Sequence, residues 1–187
     1  MHYILTLSYR GAGLSGWQIQ NNAVTVQGEL DRALGILFGT PVQTTGAGRT
    51  DAGVNATNYV CDFETPEPLH LTKQDFLYKI NAIIRKEIVV HDIAEAGVEP
   101  FSDDGEYPFN SRFSAKSRKY RYFIHSAKDP FAESFSWRCP WPLDVERMNE
   151  AAALLLGEHD FSCFEKTGGN NSTSICTVVS ARWTHYS

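Results

Sequence analysis

Four cysteines in 187 residues, none in C-x-x-C spacing, and six scattered histidines leave neither a disulfide framework nor a metal-ligand pattern. No metal is expected. Positive charge is short as well: 17 Lys and Arg against 22 Asp and Glu leave a net charge of −5 and a pI of about 5.7, so no global basic field marks a nucleic-acid binder. Any such activity has to rest on a local patch. No apolar run reaches the length of a membrane span, and no stretch reads as a signal peptide, which predicts a cytoplasmic protein with no membrane partner. What is present is an ordinary globular composition, 42% hydrophobic and 21% charged, enough for one large core or two small ones.

The chain opens on alternation. In "MHYILTLSYR", Tyr3, Leu5, Leu7 and Tyr9 share one face, as on a half-buried strand. A polar loop, "GAGLSGWQIQNN", leads to a helix from about Val26 to Phe38, with Val26, Leu30, Ala33, Leu34 and Leu37 on one stripe and Gly39 and Pro41 stopping it. Strands flank the next glycine-rich loop. Thr72 then opens a second helix, with Asp75 completing a variant capping box and Phe76, Ile80, Ile83 and Ile84 on its buried face, and "EIVVHDIAEA" is a further strand. The first half therefore reads β-α-β-β-α-β.

The second half starts the same way. A long strand is expected over about Phe113 to His125, another through "SFSWRC", a helix from the Asp144 cap to Leu156 with Gly157 as its stop, and a strand in "SICTVVSARWTHY". The fold class is thus α/β, two similar ferredoxin-like halves joined into a mixed, mainly antiparallel sheet with helices on one face. The expected division is 1–105 and 106–187. With no second helix before Ser187, the second half reads as incomplete.

Two stretches carry chemistry. The first, "GAGRTDAGVNA" from Gly46 to Ala56, sets Arg49 and Asp51 among three glycines. A turn needs one or two glycines but not both charges. It reads as a hairpin loop with an incidental ion pair, as a weak phosphate cradle lacking the third glycine of a dinucleotide site and the G-K-[ST] of a P-loop, or as a catalytic carboxylate with a cation beside it and room for a planar substrate. The second, "FNSRFSAKSRKYRYFIH", interleaves Arg112, Lys116, Arg118, Lys119 and Arg121 with Tyr120 and Tyr122. On a strand, Lys116, Arg118, Tyr120 and Tyr122 would share a face. Such a strand is either an edge guarded by positive charge or an RNA surface, where cations meet phosphates and a ring stacks on an unstacked base.

Together these stretches resemble one family. "GRTDAGV" followed by Asn55-Ala56, "SGWQIQ" at 15–20, "TVQGELDRAL" at 25–34, "RFSAKSRKYRY" at 112–122 and "LLGEHDFSCF" at 155–164 are similar to the tRNA pseudouridine synthases of the TruA type, in the same order along nearly the whole chain. Two positions depart from the pattern: Arg10 stands where the family usually has aspartate, and Asn55 where it has histidine.

The resemblance implies an isomerase that detaches uracil from its ribose, rotates it and rejoins it through C5, with no cofactor. Asp51 is its implied nucleophile, at C6 of the base or C1′ of the sugar. Arg49 would fill the space left by a flipped-out uridine. Tyr120 would lie against the flipped base, as a stacking partner rather than a base, since a phenol with a reference pKa of about 10 is a poor base at pH 7. Gln18, Gln20, Arg112, Arg118 and Lys119 would contact the RNA, while Trp17 could equally anchor its loop to the core. Tyr122 is expected in the core, and Asn55 outside the chemistry. The implied partner is the anticodon stem-loop of tRNA, just 3′ of the anticodon, bound by a homodimer. The family continues through another strand and a helix that carries a second active-site arginine, so a non-catalytic RNA-binding fragment is the alternative. A nucleotide-binding enzyme using the 46–53 loop ranks far behind.

Overall fold

The computed structural model of the chain describes residues 1–97, 109–165 and 173–186. Their contacts form two units, Met1–Arg121 and Tyr122–Ser187. The boundary expected between residues 105 and 106 lies outside the described residues.

In the first unit the elements run β1 (His2–Tyr9), α1 (Val26–Phe38), β2 (Thr44–Gly46), β3 (Ala56–Glu64), α2 (Lys73–Ile83) and β4 (Ile88–Glu95). The strand order is β2-β3-β1-β4, every neighbour antiparallel. This is the ferredoxin-like β-α-β-β-α-β arrangement the sequence predicts. Its register follows the side chains: Tyr3 faces Phe63 and Leu5 faces Cys61 across β1 and β3, and the period of two then puts Leu7 and Tyr9 on the same buried face.

The helices cover that face because their stripes match it. Thr25 caps α1 by accepting from the Gly28 N–H at 3.2 Å, and Gly39 ends it at φ 70°, a conformation that costs glycine little. Between these caps, Val26, Leu30, Ala33 and Leu34 are fully buried. Each such leucine contributes about 1.5–3 kcal/mol relative to an exposed one. Thr72 caps α2, accepting from the Asp75 N–H at 3.1 Å while its hydroxyl donates to the Asp75 carboxylate at 2.7 Å. Phe76 and Ile80 enter the core, and Phe38 bridges the layers with its ring centroid 5.8 Å from Phe63 and 6.5 Å from Phe76.

On the sheet face away from the helices, Asp62 is buried. It accepts from Ser111 N–H at 2.7 Å and pairs with His2 Nε2 at 2.9 Å. These contacts seat the start of the 109–121 segment on β3, where backbone N–H and carboxylate satisfy each other.

The second unit contains β5 (Ile124–His125) paired in parallel with β6 (Trp137–Arg138), α3 (Val145–Ala153), and β7 (Gly157–Asp160) antiparallel to β8 (Ile175–Val178). Asp144 caps α3 as expected, through the Arg147 N–H at 3.1 Å. Asn149 fixes this helix to the chain at Trp183, donating to its carbonyl at 3.0 Å and accepting from its N–H at 2.7 Å.

The long strand expected over Phe113 to His125 is not formed. Only Ile124 and His125 are strand; residues 110–113 make a turn closed by Ser114 N–H on the Asn110 carbonyl at 2.8 Å, and residues 114–123 have no regular structure. Alternation is a property of the segment, but a strand also needs a neighbour to complete its ladder, and among the described residues none pairs with 113–122. Tyr122, expected in the core, is 79% exposed for the same reason.

Candidate active site

The loop from Ala47 to Asn55 joins β2 to β3, and its backbone is tied at nearly every step. Ala47 N–H donates to the Val60 carbonyl at 2.9 Å. The Tyr59 hydroxyl donates to the Gly48 carbonyl and accepts the Gly48 N–H at 3.3 Å. Thr50 is held twice, its hydroxyl on the Tyr9 hydroxyl at 2.9 Å and its carbonyl on Trp17 N–H at 3.1 Å. Val54 N–H closes a turn on the Asp51 carbonyl at 3.2 Å, and the Asn55 side chain accepts Gly11 N–H at 2.8 Å.

Close packing explains two glycines here. A Cβ on Gly16, at φ 84°, would strike the Thr50 carbonyl, and one on Gly46 would strike the Tyr59 hydroxyl and the Trp17 ring. Beneath the loop, Trp17 stacks on Tyr59 at 4.4 Å and Tyr9 meets Tyr59 edge-on at 5.6 Å. Burial pushes the Tyr59 hydroxyl well above its ordinary pKa. Arg49 and Asp51 are exposed on this hydrogen-bonded base.

The basic segment comes to the same loop. Arg118 Nη2 donates to the Ala47 carbonyl, and to the Arg112 carbonyl at 3.3 Å. Two residues on, Tyr120 is 67% exposed. It lies close enough to Tyr9 to act on it: burial first, and then the Tyr120 hydroxyl, push Tyr9 up, against the lowering bond from Thr50. Tyr120 therefore lies within electrostatic reach of Tyr9, whose hydroxyl holds Thr50. Arg112 lies over the Phe113 ring at 5.3 Å. Lys119 is exposed. In the 11–24 loop, Gln18 is exposed and Gln20 Nε2 donates to the Ser15 carbonyl at 2.8 Å. Among the described residues, no cluster of three His, Cys, Asp or Glu is placed to hold a metal, and no helix is long and apolar enough to cross a membrane.

Known proteins are similar to this chain along nearly its whole length. The chain is 38% identical to a tRNA pseudouridine synthase A of Parabacteroides distasonis over 185 residues, 97% of this chain and 68% of that protein. The chain belongs to the tRNA pseudouridine synthase A family. The same name is carried by proteins of Chlorobaculum tepidum, 38% identical over 96% of this chain and 68% of theirs, and of Fervidobacterium nodosum, 38% identical over 95% and 69%. No family model matches the chain.

Within the family framework, the structure adds residues that sequence reasoning passed over. Tyr59 and Tyr9 sit on strands and read as core residues, yet their hydroxyls hold Gly48 and Thr50 on either side of Arg49. Trp17 is 4% exposed, which makes it an anchor of the loop rather than an RNA contact. Asn55 joins the two glycine-rich loops. The signal for Tyr59 is its place in the strand directly after the motif, since a large polar-tipped ring there can reach back under the loop.

Proposed function

We propose that this chain converts uridine to pseudouridine in the anticodon stem-loop of tRNA, with Asp51 as nucleophile. The observation that carries the reading is an exposed carboxylate on a backbone tied down on both sides, in a loop to which the Tyr120 segment is bound through Arg118 and the Ala47 carbonyl. Isomerisation conserves atoms and electrons, so the reaction needs no co-substrate. The Asp51 carboxylate adds to C6 of the base or C1′ of the sugar, and the N1–C1′ bond breaks. The uracil turns, C5 bonds to C1′, and the C5 proton leaves as the enzyme is released.

The remaining residues bind and orient. The target uridine has to leave its stack, and Arg49 fills the gap while the Tyr120 ring covers the base. Arg112 and Lys119 meet phosphates, and Gln18 and Gln20 contact the nearby RNA. An acidic chain binds tRNA in this way through one local strip, doubled in a homodimer in which one tRNA spans both subunits.

Release of tritium from tRNA labelled at uridine C5 tests the reading. The protein at its natural full length should release label, and Asp51→Asn should abolish release while tRNA affinity stays within a few-fold. An Asn variant that keeps more than about a hundredth of the rate would remove Asp51 from the nucleophile's role. Tight tRNA binding by a wild type that releases nothing would leave a non-catalytic RNA-binding module instead.

A further inference from the structure

Arg118 differs from the other basic residues of its segment in what its guanidinium does. Its Nη2 donates to the backbone carbonyl of Ala47, 71 positions away in sequence, and at 3.3 Å to that of Arg112. The group also lies over Gly48, where a Cβ would come within 3.3 Å of Nε. Gly48 is in turn held by Tyr59, through both its N–H and its carbonyl. The Arg118 charge is close enough to act on the Tyr59 hydroxyl. Two side chains therefore hold the same Ala47-Gly48 stretch, immediately before Arg49, Thr50 and Asp51.

We infer that Arg118 is a positioning residue, which clamps the Asp51 loop to the segment carrying Tyr120 and so sets the spacing between carboxylate and base. The inference rests on the functional reading above and assigns Arg118 a different part in it. The two N–H groups of Nη2 are fixed in the guanidinium plane, whereas a lysine ammonium stands one atom nearer its Cα and its donors rotate, so it does not hold the same two carbonyls in a set geometry. Tyr120 follows Arg118 by two residues, so a guanidinium fixed on Ala47 limits how far the ring can move from Asp51. Ground-state binding of tRNA draws on other phosphate contacts. What the clamp supplies is orientation of the reacting groups, where displacements of about 1 Å can cost up to about a hundredfold in rate.

Arg118→Ala and Arg118→Lys should both lower kcat by about tenfold or more with KM little changed. Neither should alter the slope of log affinity against log salt, whereas Lys119→Ala, which removes a phosphate contact, should reduce that slope by about one phosphate. In the free protein, Arg118→Ala should speed amide hydrogen exchange across residues 47–51 while the exchange of β1 stays slow. A variant Arg118→Ala with unchanged kcat and a reduced salt slope would make Arg118 a phosphate ligand and overturn the inference. Rescue of kcat by Arg118→Lys would do the same, because charge alone would then suffice. Unchanged exchange at 47–51 would overturn the clamp itself. A wild type that releases no tritium, with exchange altered as expected, would instead sink the functional reading and leave the clamp as structure only.

Discussion

The Tyr59 hydroxyl serves Gly48 twice, giving its proton to the carbonyl and taking the N–H at 3.3 Å. One side chain thereby satisfies both backbone groups of a glycine two residues before Thr50, in a loop with no regular hydrogen-bonding pattern of its own. Tyr59→Phe keeps the stack on Trp17 and deletes both bonds. It should cost about 1–3 kcal/mol, since the half-buried Gly48 groups lose their partner. Urea denaturation should show a lower midpoint at unchanged slope, and an unchanged midpoint would show that water replaces the hydroxyl without loss.

Tyr120 offers a different separation, between ring and hydroxyl. Its side chain is exposed and covers no core. Tyr120→Ala should leave thermal stability unaltered and weaken tRNA binding by about 1–3 kcal/mol, the usual worth of one base stacked on an aromatic ring. Tyr120→Phe should bind within a few-fold of wild type. Equal losses in the two variants, measured by filter binding, would mean that the hydroxyl and not the ring makes the contact.

Arg112 and Lys119 carry the electrostatic expectation. Replacing both by alanine should weaken binding to many tRNAs alike and flatten the salt dependence by up to about two phosphate equivalents. Arg112 also covers the Phe113 ring. Its loss from the segment alone is expected to change stability little, as the pair is exposed. A salt slope equal to wild type would mean that these cations never meet phosphate.

Asp31 makes a prediction about pH. Its carboxylate accepts from Thr44 N–H at 2.9 Å and the Thr44 hydroxyl at 2.7 Å, yet burial outweighs both bonds and raises its pKa. The folded state therefore holds this proton more tightly than the unfolded chain does. Its contribution is fully present below the unfolded pKa and is lost as pH rises through the folded one. Asp31→Asn removes that titration. The stability of wild type minus that of the variant should fall on going from about pH 4 towards neutrality, in the window just above the ordinary carboxylate range. A difference that rises instead, followed by denaturant midpoints across the range, would show that the two Thr44 bonds outweigh burial.

How much of this was legible in advance depended on whether the signal was local. The bounds of α1 follow from Thr25, its apolar stripe and Gly39, all within one segment, and the structure gives the same limits, Val26–Phe38. β1 was readable from its alternation, and the β-α-β-β-α-β order from the sequence of such signals. The motif around Asp51 was readable too, because it depends on residue types in a row. The segment 113–122 shows where local signal fails. Its alternation is real, but whether a strand forms is decided by the presence of a neighbour, and none is supplied by the described residues.

The sequence by itself therefore determined the elements of the first unit and the family motif, and it singled out Asp51, Arg49 and Tyr120 as the candidates for chemistry. Tertiary structure alone decided which side chains hold them. Tyr59 and Tyr9 read as strand positions until folding brings their hydroxyls under Gly48 and Thr50, and nothing in the basic segment foretells that Arg118 donates to the Ala47 carbonyl. The reason is physical. A hydrogen bond between residues 71 positions apart leaves no trace in the spacing of either segment, because what creates it is the packing of the whole unit.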